Sequence, residues 1–442
     1  MKILVKGLTE KRTPEVYLLS KLDPNNITWK HRQLEAATRD REKADSMEDA
    51  ENREAALANV DARIEDIHSS FDTTHHELDY ARKIYLIENS IFGVDIQPIA
   101  CQIAKLRFFI SLLVDQKSGK IIRPLPNLET RIVAADTLIP VEKVEKHQFF
   151  IGAEQVKVLR ERLRLVRHDH FNARTPEAKQ GYKEKDAAIR AQLSEELEHI
   201  GMPNTTARLL AGWDPYDQNS HANFFDPEWM FSLQPEEFTG FDIVIGNPPY
   251  VRQEKIKEDK AALKEIYDCF TGTADLYVYF YERGIQLLKD GGVFSFITSN
   301  KWMRSGYGQK LRAYLKANVR VRRLIDFGDA EIFDAIAYPC IIILEKGHAS
   351  SDAAFKALSW NQDEWKVEDV ASHLAGDLFP MSQADLAPET WRVESKVKLQ
   401  LLDRIRRAGT PLGEYAKGRL YRLMSARSIR PRQSTSGTFA PA

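Results

Sequence analysis

A doubly wound α/β domain is the fold this sequence predicts, and three observations predict it. Short runs rich in β-branched residues alternate with stretches of helical periodicity from Ile91 to Glu345. Two of those runs end directly in an aspartate, the position at which open sheets gather ligands around strand carboxyl ends. A third run, Phe241 to Ile245, is stopped by Gly246 and opens into Asn247-Pro248-Pro249-Tyr250.

The elements follow in order. Leu34 to Ile67 is rich in Glu, Asp, Lys, Arg and Ala without Gly or Pro and reads as a solvated helix or helical hairpin. His75-His76 lacks the spacing of a metal pair and reads as two surface histidines. Ile91 to Val94 is a strand ending at Asp95, and Pro98 then opens a helix at the position where a missing N–H costs nothing. Along that helix Ile99, Ile103, Leu106, Ile110 and Leu113 recur at helical spacing. Arg131 to Ala135 is a second strand, ending at Asp136.

An insertion of charged helices spans about 141–235, with apolar stripes Val156, Leu159, Leu163, Val166 and Ile189, Leu193, Leu197, Ile200. It reads as a helical hairpin packed on the sheet; a clamp on a long polymer is the alternative. Beyond the central motif, Thr271 to Tyr277 leads into an amphipathic helix. Asp290 to Asn300 gives a Gly-Gly turn and a strand, and Arg323 to Phe327 and Cys340 to Glu345 give two more. The loop between these last two carries Phe333 and Tyr338-Pro339.

Composition narrows the function classes. The formal net charge is −1, so no overall basic field announces a nucleic-acid partner, although charge can segregate between parts of a modular binder. Cys101, Cys269 and Cys340 are too far apart for a disulfide framework or a metal pair and read as small buried residues. No apolar run of membrane-spanning length and no signal peptide is present, which makes a cytoplasmic, membrane-free protein the expectation.

Chemistry concentrates at Asn247-Pro248-Pro249-Tyr250. Each proline lacks a backbone N–H, and Pro249 holds Pro248 extended, so the Pro248 carbonyl can face a pocket instead of a ladder. With the Asn247 side-chain carbonyl it forms two acceptors suited to a planar amino group. Accepting both hydrogens leaves the nitrogen lone pair out of plane, and Tyr250 offers a face on which a base can stack. The bland reading is a proline turn that merely ends a strand. Asp95 reads either as a ribose-binding acid or as a helix cap, and Asp136 either as an adenine-binding acid or as a turn cap.

The tetrapeptide resembles the catalytic motif of amino-methyltransferases that use S-adenosylmethionine. Residues from about 21 to 421 are further similar to the Eco57I-type adenine-specific DNA methyltransferases, including those of fused restriction-modification enzymes and of BREX-type phage defence. That resemblance rests on KLDPNN, LIENSIFGVDIQPIACQIAKLRFFISLLVDQ, FDIVIGNPPYVRQEKIK, GTADLYVYFYERGIQLLKDGGVFSFITSNKW and IDFGDAEIFDAIAYPCIIILEK, in that order. It implies a Rossmann-like sheet binding S-adenosylmethionine through Asp95, Ile96 and Asp136, with no metal. It also implies Asn247 and Pro248, with Pro249 beside them, as the catalytic acceptors, and Tyr250 and Phe333 as the two sides of a stack on an adenine flipped from double-stranded DNA.

Two departures qualify the resemblance. The family's cofactor loop, Asp-Pro-Ala-Cys-Gly-Ser-Gly after the first strand, has no counterpart, and Lys2 to Val5 reads at most as a remnant of that strand. Gly306 and Gly308 follow the wrong strand to replace it. From Leu412 to Tyr421 the chain resembles the entry to a target-recognition domain, and the Arg-, Ser- and Pro-rich residues after it read as disordered. The expected organisation is a helical segment 1–80, a methyltransferase domain 81–346 with its insertion, the start of a recognition domain 347–421, and a tail 422–442. A chain shortened at both ends and completed by a second polypeptide is one expectation. An inactive DNA-binding remnant is another, and a protein-glutamine methyltransferase is a third.

Overall fold

A computed structural model describes residues 2–5, scattered positions between 38 and 87, and 90–114, 127–141, 153–173, 175–235, 238–330, 338–348, 353–360, 365 and 370–410. His75-His76, Phe333 and Leu412 to Tyr421 lie outside the described residues.

Nine strands make one mixed sheet among those residues. They are β1 (Lys2–Val5), β2 (Ile91–Asp95), β3 (Ile132–Ala134), β4 (Phe241–Gly246), β5 (Leu288–Ser299), β6 (Val319–Asp326), β7 (Pro339–Lys346), β8 (Ala354–Ser359) and β9 (Phe379–Ser382). Their spatial order is β3-β2-β1-β4-β5-β7-β6-β8-β9. The longer described helices are α1 (Pro98–Leu113), α2 (Ala153–Asn172), α3 (Pro176–His199), α4 (Asn204–Gly212), α5 (Lys260–Ile266), α6 (Tyr277–Gln286), α7 (Gln309–Asn318), α8 (Val370–Gly376) and α9 (Lys396–Ala408), and a single helical turn, Pro227–Met230, lies between α4 and β4.

Strands β2 and β3 are parallel, as are β4 and β5, and β6 and β8, while β7 runs against both β5 and β6. Strands β2, β3, β4, β5 and β6 therefore all point one way. Their carboxyl ends form a single rim carrying Asp95, Asp136, Asn247, Asn300 and Asp326.

The middle of the sheet differs from expectation. Lys2–Val5 does lie between β2 and β4, but it runs antiparallel to both: Lys2 is level with Val94 and Gly246, and Val5 with Ile91 and Ile243. Two strand edges facing each other across a one-strand gap present unpaired N–H and C=O groups, which a strand of either direction can satisfy. The amino end of β1, not a loop leaving its carboxyl end, thus sits at the rim between Asp95 and Asn247.

Period-two alternation assigns the sheet's faces. Phe92, Val94, Val133, Phe241, Val244, Phe294 and Phe296 enter the main core with α6 and the insertion. The insertion is the expected hairpin: Leu159 and Leu163 of α2 meet Leu193 and Leu197 of α3, and Phe231 after it packs 4.8 Å from Phe92 between ring centroids. Ile91 faces the other way, into a smaller cluster with Cys101, Ala104, Leu112 and Ile132.

The Gly-Gly pair lies inside β5 rather than before it. Gly291 has φ +73°, and a Cβ on Gly292 would sit 2.9 Å from the Phe241 carbonyl oxygen. This close approach coincides with the register shift between Phe241 and Ile243.

Helix α1 turns its predicted stripe outward. Ile99, Ile103, Leu106 and Ile110 are all exposed, Ile103 at 48%, while the smaller Cys101 and Ala104 and the distal Leu112 are buried. The Cys101 thiol reaches the Val133 carbonyl at 3.2 Å, so small side chains let the helix lie close to β3. We expect Ile103→Gln to change stability by less than about 0.5 kcal/mol, and Leu112→Ala to cost about 2–5 kcal/mol. Urea denaturation of the two variants checks this, and comparable losses would contradict the packing described.

Candidate active site

The central tetrapeptide begins where β4 ends. Asn247 is exposed, Pro248 is buried, and Pro249 and Tyr250 are exposed. Neither the Asn247 side chain nor the Pro248 carbonyl has a hydrogen-bond partner among the described residues, so both acceptors are available. Tyr250 lies beside the carboxyl-terminal stretch of β5, its hydroxyl 3.5 Å from the Ile297 carbonyl, and the residue as a whole is 39% exposed. Burial of the rest, followed by the nearby Cys340 thiol, pushes that hydroxyl up to about 12. The ring is therefore neutral at physiological pH.

Several contacts fix this corner. Leu276 N–H donates to the Val251 carbonyl (2.9 Å), and Lys260 Nζ bridges Gln253 Oε1 and the Gly272 carbonyl, both at 2.7 Å. The Tyr277 ring meets Tyr250 nearly edge-on, with centroids 6.3 Å apart, and the Tyr277 and Tyr307 hydroxyls are 2.8 Å apart. Asp275 stands beside them. Burial raises its carboxyl above the ordinary value and Glu254 adds to that, against the opposing pull of the Gln253 N–H and Lys301.

The two aspartates lie along the same rim. Register places Val94 and Gly246 both opposite Lys2, so Asp95 and Asn247 stand two strand spacings apart, about 10 Å. Asp95 Oδ1 accepts from Gln97 N–H at 2.9 Å, a turn that leads into α1, and Ile96 is exposed at its side. Asp136 Oδ1 likewise accepts from Leu138 N–H at 3.0 Å. Each carboxylate thus closes a local turn at the rim, and neither makes a side-chain cap of the α1 amino end, whose N-cap is Gln97.

The Asp136 turn is held from outside by residues that carried no motif. Tyr267 Oη donates to the Leu138 carbonyl (2.6 Å), and buried Arg283 donates through Nε to the Thr137 carbonyl (2.9 Å) and through Nη2 to the Phe225 carbonyl (3.1 Å). A cavity of about 540 Å³ opens beyond β3, between α1 and α4. None of the candidate residues lines it, so the candidate chemistry belongs to the rim.

With this geometry in place, one comparison is decisive. The family profile described as Eco57I restriction-modification methylase matches residues 89–333, more than half of the chain. The chain belongs to that family.

Curated relatives of this Eco57I-family chain are named type II methyltransferases. M.PaeR7I of Pseudomonas aeruginosa is 31% identical over 236 residues, covering 49% of this chain and 40% of the relative. M.XhoI of Xanthomonas vasicola is 38% identical over 130 residues, covering 28% of this chain and 23% of the relative. The chain therefore spans less than half the length of these curated relatives. The solved type IIG restriction endonuclease BpuSI aligns at 15% identity and a TM-score of 0.28, over 56% of this chain and 32% of that one, too loose an overlap to argue from.

Within the family segment, Asp95, Ile96, Asp136, Asn247, Pro248, Pro249 and Tyr250 share one rim. Tyr277, Tyr307, Asp275, Lys301, Asn300 and Asp326 join them there without having been singled out. One of these was within reach of the rule that picked Asp95: Asp326 also ends a strand. No group of three or more metal-ligating side chains occurs among the described residues, and no described helix is long and apolar enough to cross a membrane.

Proposed function

We propose that this chain carries the catalytic rim of an adenine-specific DNA methyltransferase of restriction-modification or phage-defence type. In this reading it directs a methyl group from S-adenosylmethionine to the amino nitrogen at position six of an adenine flipped from double-stranded DNA. The observation that carries the reading is the pair of unpartnered acceptors, Asn247 Oδ1 and the Pro248 carbonyl, at the carboxyl end of β4 beside the Tyr250 ring. The two acceptors hold the amino hydrogens in plane and direct the lone pair outward. Tyr250, with Phe333 proposed opposite, holds the base flat.

The residues present fit the cofactor in part. In this reading Asp95 would accept from ribose hydroxyls, Ile96 would help bind the cofactor and Asp136 would accept from the adenine amino group. When bound, S-adenosylmethionine supplies the electrophilic methyl group. Between Asp95 and Asn247, however, stands the amino end of an antiparallel strand, and the described residues offer no glycine-rich backbone cradle there for the methionine half. No step is derived through that half.

This reversed strand favours a second reading, in which the described residues do not complete the cofactor site and the chain binds DNA without turnover. Calorimetric titration of the folded chain with S-adenosylmethionine separates the two. Saturable binding abolished by Asp95→Ala means that the rim suffices. Absence of binding by the wild-type chain means that the site requires completion. If protein is methylated and DNA is left untouched in the presence of the completed site, the DNA reading fails.

A further inference from the structure

Beyond the acceptors and the base stack, the rim contains a charged assembly at the ends of β5, β6 and β7 that the methyl-transfer chemistry does not use. Asp326, the last residue of β6, is buried. Its Oδ1 accepts from Asn300 Nδ2 at 2.7 Å and from Gly328 N–H at 3.0 Å, and its Oδ2 from Arg304 Nη2 at 3.1 Å. Its main-chain carbonyl is also engaged, by Trp360 N–H at 2.8 Å. The carboxylate is thus immobile, with donors on three sides.

Asn300 ties the assembly to the strand that Tyr250 touches. It follows β5 directly, three residues beyond Ile297, and its N–H donates to the Tyr338 carbonyl at 2.7 Å. One residue therefore fastens both stems of the β6–β7 connection, Asp326 on one side and Tyr338 on the other, to the end of β5. On the same turn the Lys301 ammonium lies over the Tyr338 ring, 5.3 Å from its centroid. A Cβ on Gly308 would stand 1.9 Å from the Trp302 carbonyl oxygen, so this turn and the start of α7 are packed backbone against backbone.

Arg304 is the outward part of this assembly. Its side chain is 63% exposed, and Asp326 is the described partner of its guanidinium. A buried anion grips one N–H of a planar five-donor group and turns the remaining donors to solvent. Such a group is already oriented for a tetrahedral anion, and little side-chain freedom is left to lose on contact. In a chain of net charge −1, attraction to a polyanion has to come from local cations such as this one and Lys301.

We infer that Arg304, held by Asp326 as its positioning residue, binds a backbone phosphate of the DNA whose base enters the Tyr250 pocket. The inference rests on the DNA reading given above and adds a contact to it. Arg304 carries the charge, Asp326 sets its direction, and Asn300 couples both to the strand beside Tyr250.

The test is DNA binding by the full chain, measured as fluorescence anisotropy of a labelled duplex over a salt series for wild type, Arg304→Ala and Arg304→Lys. One neutralised phosphate contributes about 0.9 to the slope of log affinity against log salt. The slope for Arg304→Ala is expected to fall by about that amount, and Arg304→Lys to restore it. A purely structural role would not be repaired by lysine or read out as a unit of slope. If wild type binds DNA and Arg304→Ala keeps its slope, the inference is overturned while the DNA reading stands. If wild type binds no duplex at any salt, both fall together.

Discussion

Asn247→Ala is expected to lower the rate of methyl transfer to DNA by at least about 100-fold, the scale on which removal of one preorganised hydrogen-bonding group acts. Asn247 is exposed and bonds to no described residue, so its loss removes an acceptor without opening a cavity or orphaning a partner. The thermal midpoint should therefore stay at the wild-type value, as should the affinity for S-adenosylmethionine. Asn247→Asp keeps an acceptor oxygen at the same place and should retain more activity than alanine. Tritiated methyl transfer to DNA measures this. An alanine variant that methylates at the wild-type rate would remove Asn247 from the chemistry.

Asp186→Ala is expected to destabilise the helical insertion by about 3–5 kcal/mol, the range found when one partner of a buried ion pair is removed. Asp186 is fully buried on α3, with Oδ2 2.7 Å from Arg167 Nε and Oδ1 2.6 Å from Arg190 Nε. Both guanidiniums are themselves buried and reach further: Arg167 to the Trp229 carbonyl at 2.8 Å, Arg190 to the Ala211 and Trp213 carbonyls at 2.6 Å. Alanine would leave buried Arg167 without an anion and Arg190 with only the exposed Asp214 carboxylate at 3.9 Å, and would loosen the turn that brings Phe231 onto Phe92. Urea denaturation at neutral pH gives the loss. A change below about 1 kcal/mol would contradict the burial described.

The same aspartate predicts a pH dependence. Burial alone would raise its pKa, but Arg167 and Arg190 outweigh burial and hold the carboxyl below its ordinary value. A carboxylate depressed on folding contributes fully above its unfolded value and loses that contribution as pH falls through the folded value. Wild type should therefore hold this part of its stability above the ordinary carboxylate range and lose it progressively as pH falls through that range to the lower folded value. In Asp186→Asn that component should be absent.

Much of the rim was readable because strand ends announce themselves. β-Branched runs stopped by Asp95, Asp136 and Gly246 located three strands to within a residue or two, and alternation of strand and helix gave their parallel arrangement. Three things resisted reading. The direction of Lys2–Val5 is not encoded in its composition, because an isolated strand satisfies its neighbours' backbone groups either way. The stripe on α1 gave the period of the helix but not which side is covered. There the close approach of helix to sheet selected Cys101 and Ala104 over the larger Ile99 and Ile103. The supporting contacts of Arg283, Tyr267, Asn300 and Asp326 join elements tens to more than a hundred positions apart, and no local pattern records such pairings.

Strand β1 has one more consequence, which concerns the order of assembly. In the sheet it is the described element that joins β3-β2 on one side to β4-β5 and everything beyond on the other. Its partners lie some ninety and two hundred and forty positions along the chain. Loops of that length close late, since their entropy is lost before the pairing returns anything. The parallel pairs β2-β3 and β4-β5 share one core under the insertion and α6, and the four residues of β1 then close the backbone gap that remains between them. The distance between Asp95 and Asn247 along the rim is thus set by the width of a strand whose own residues carry none of the candidate chemistry.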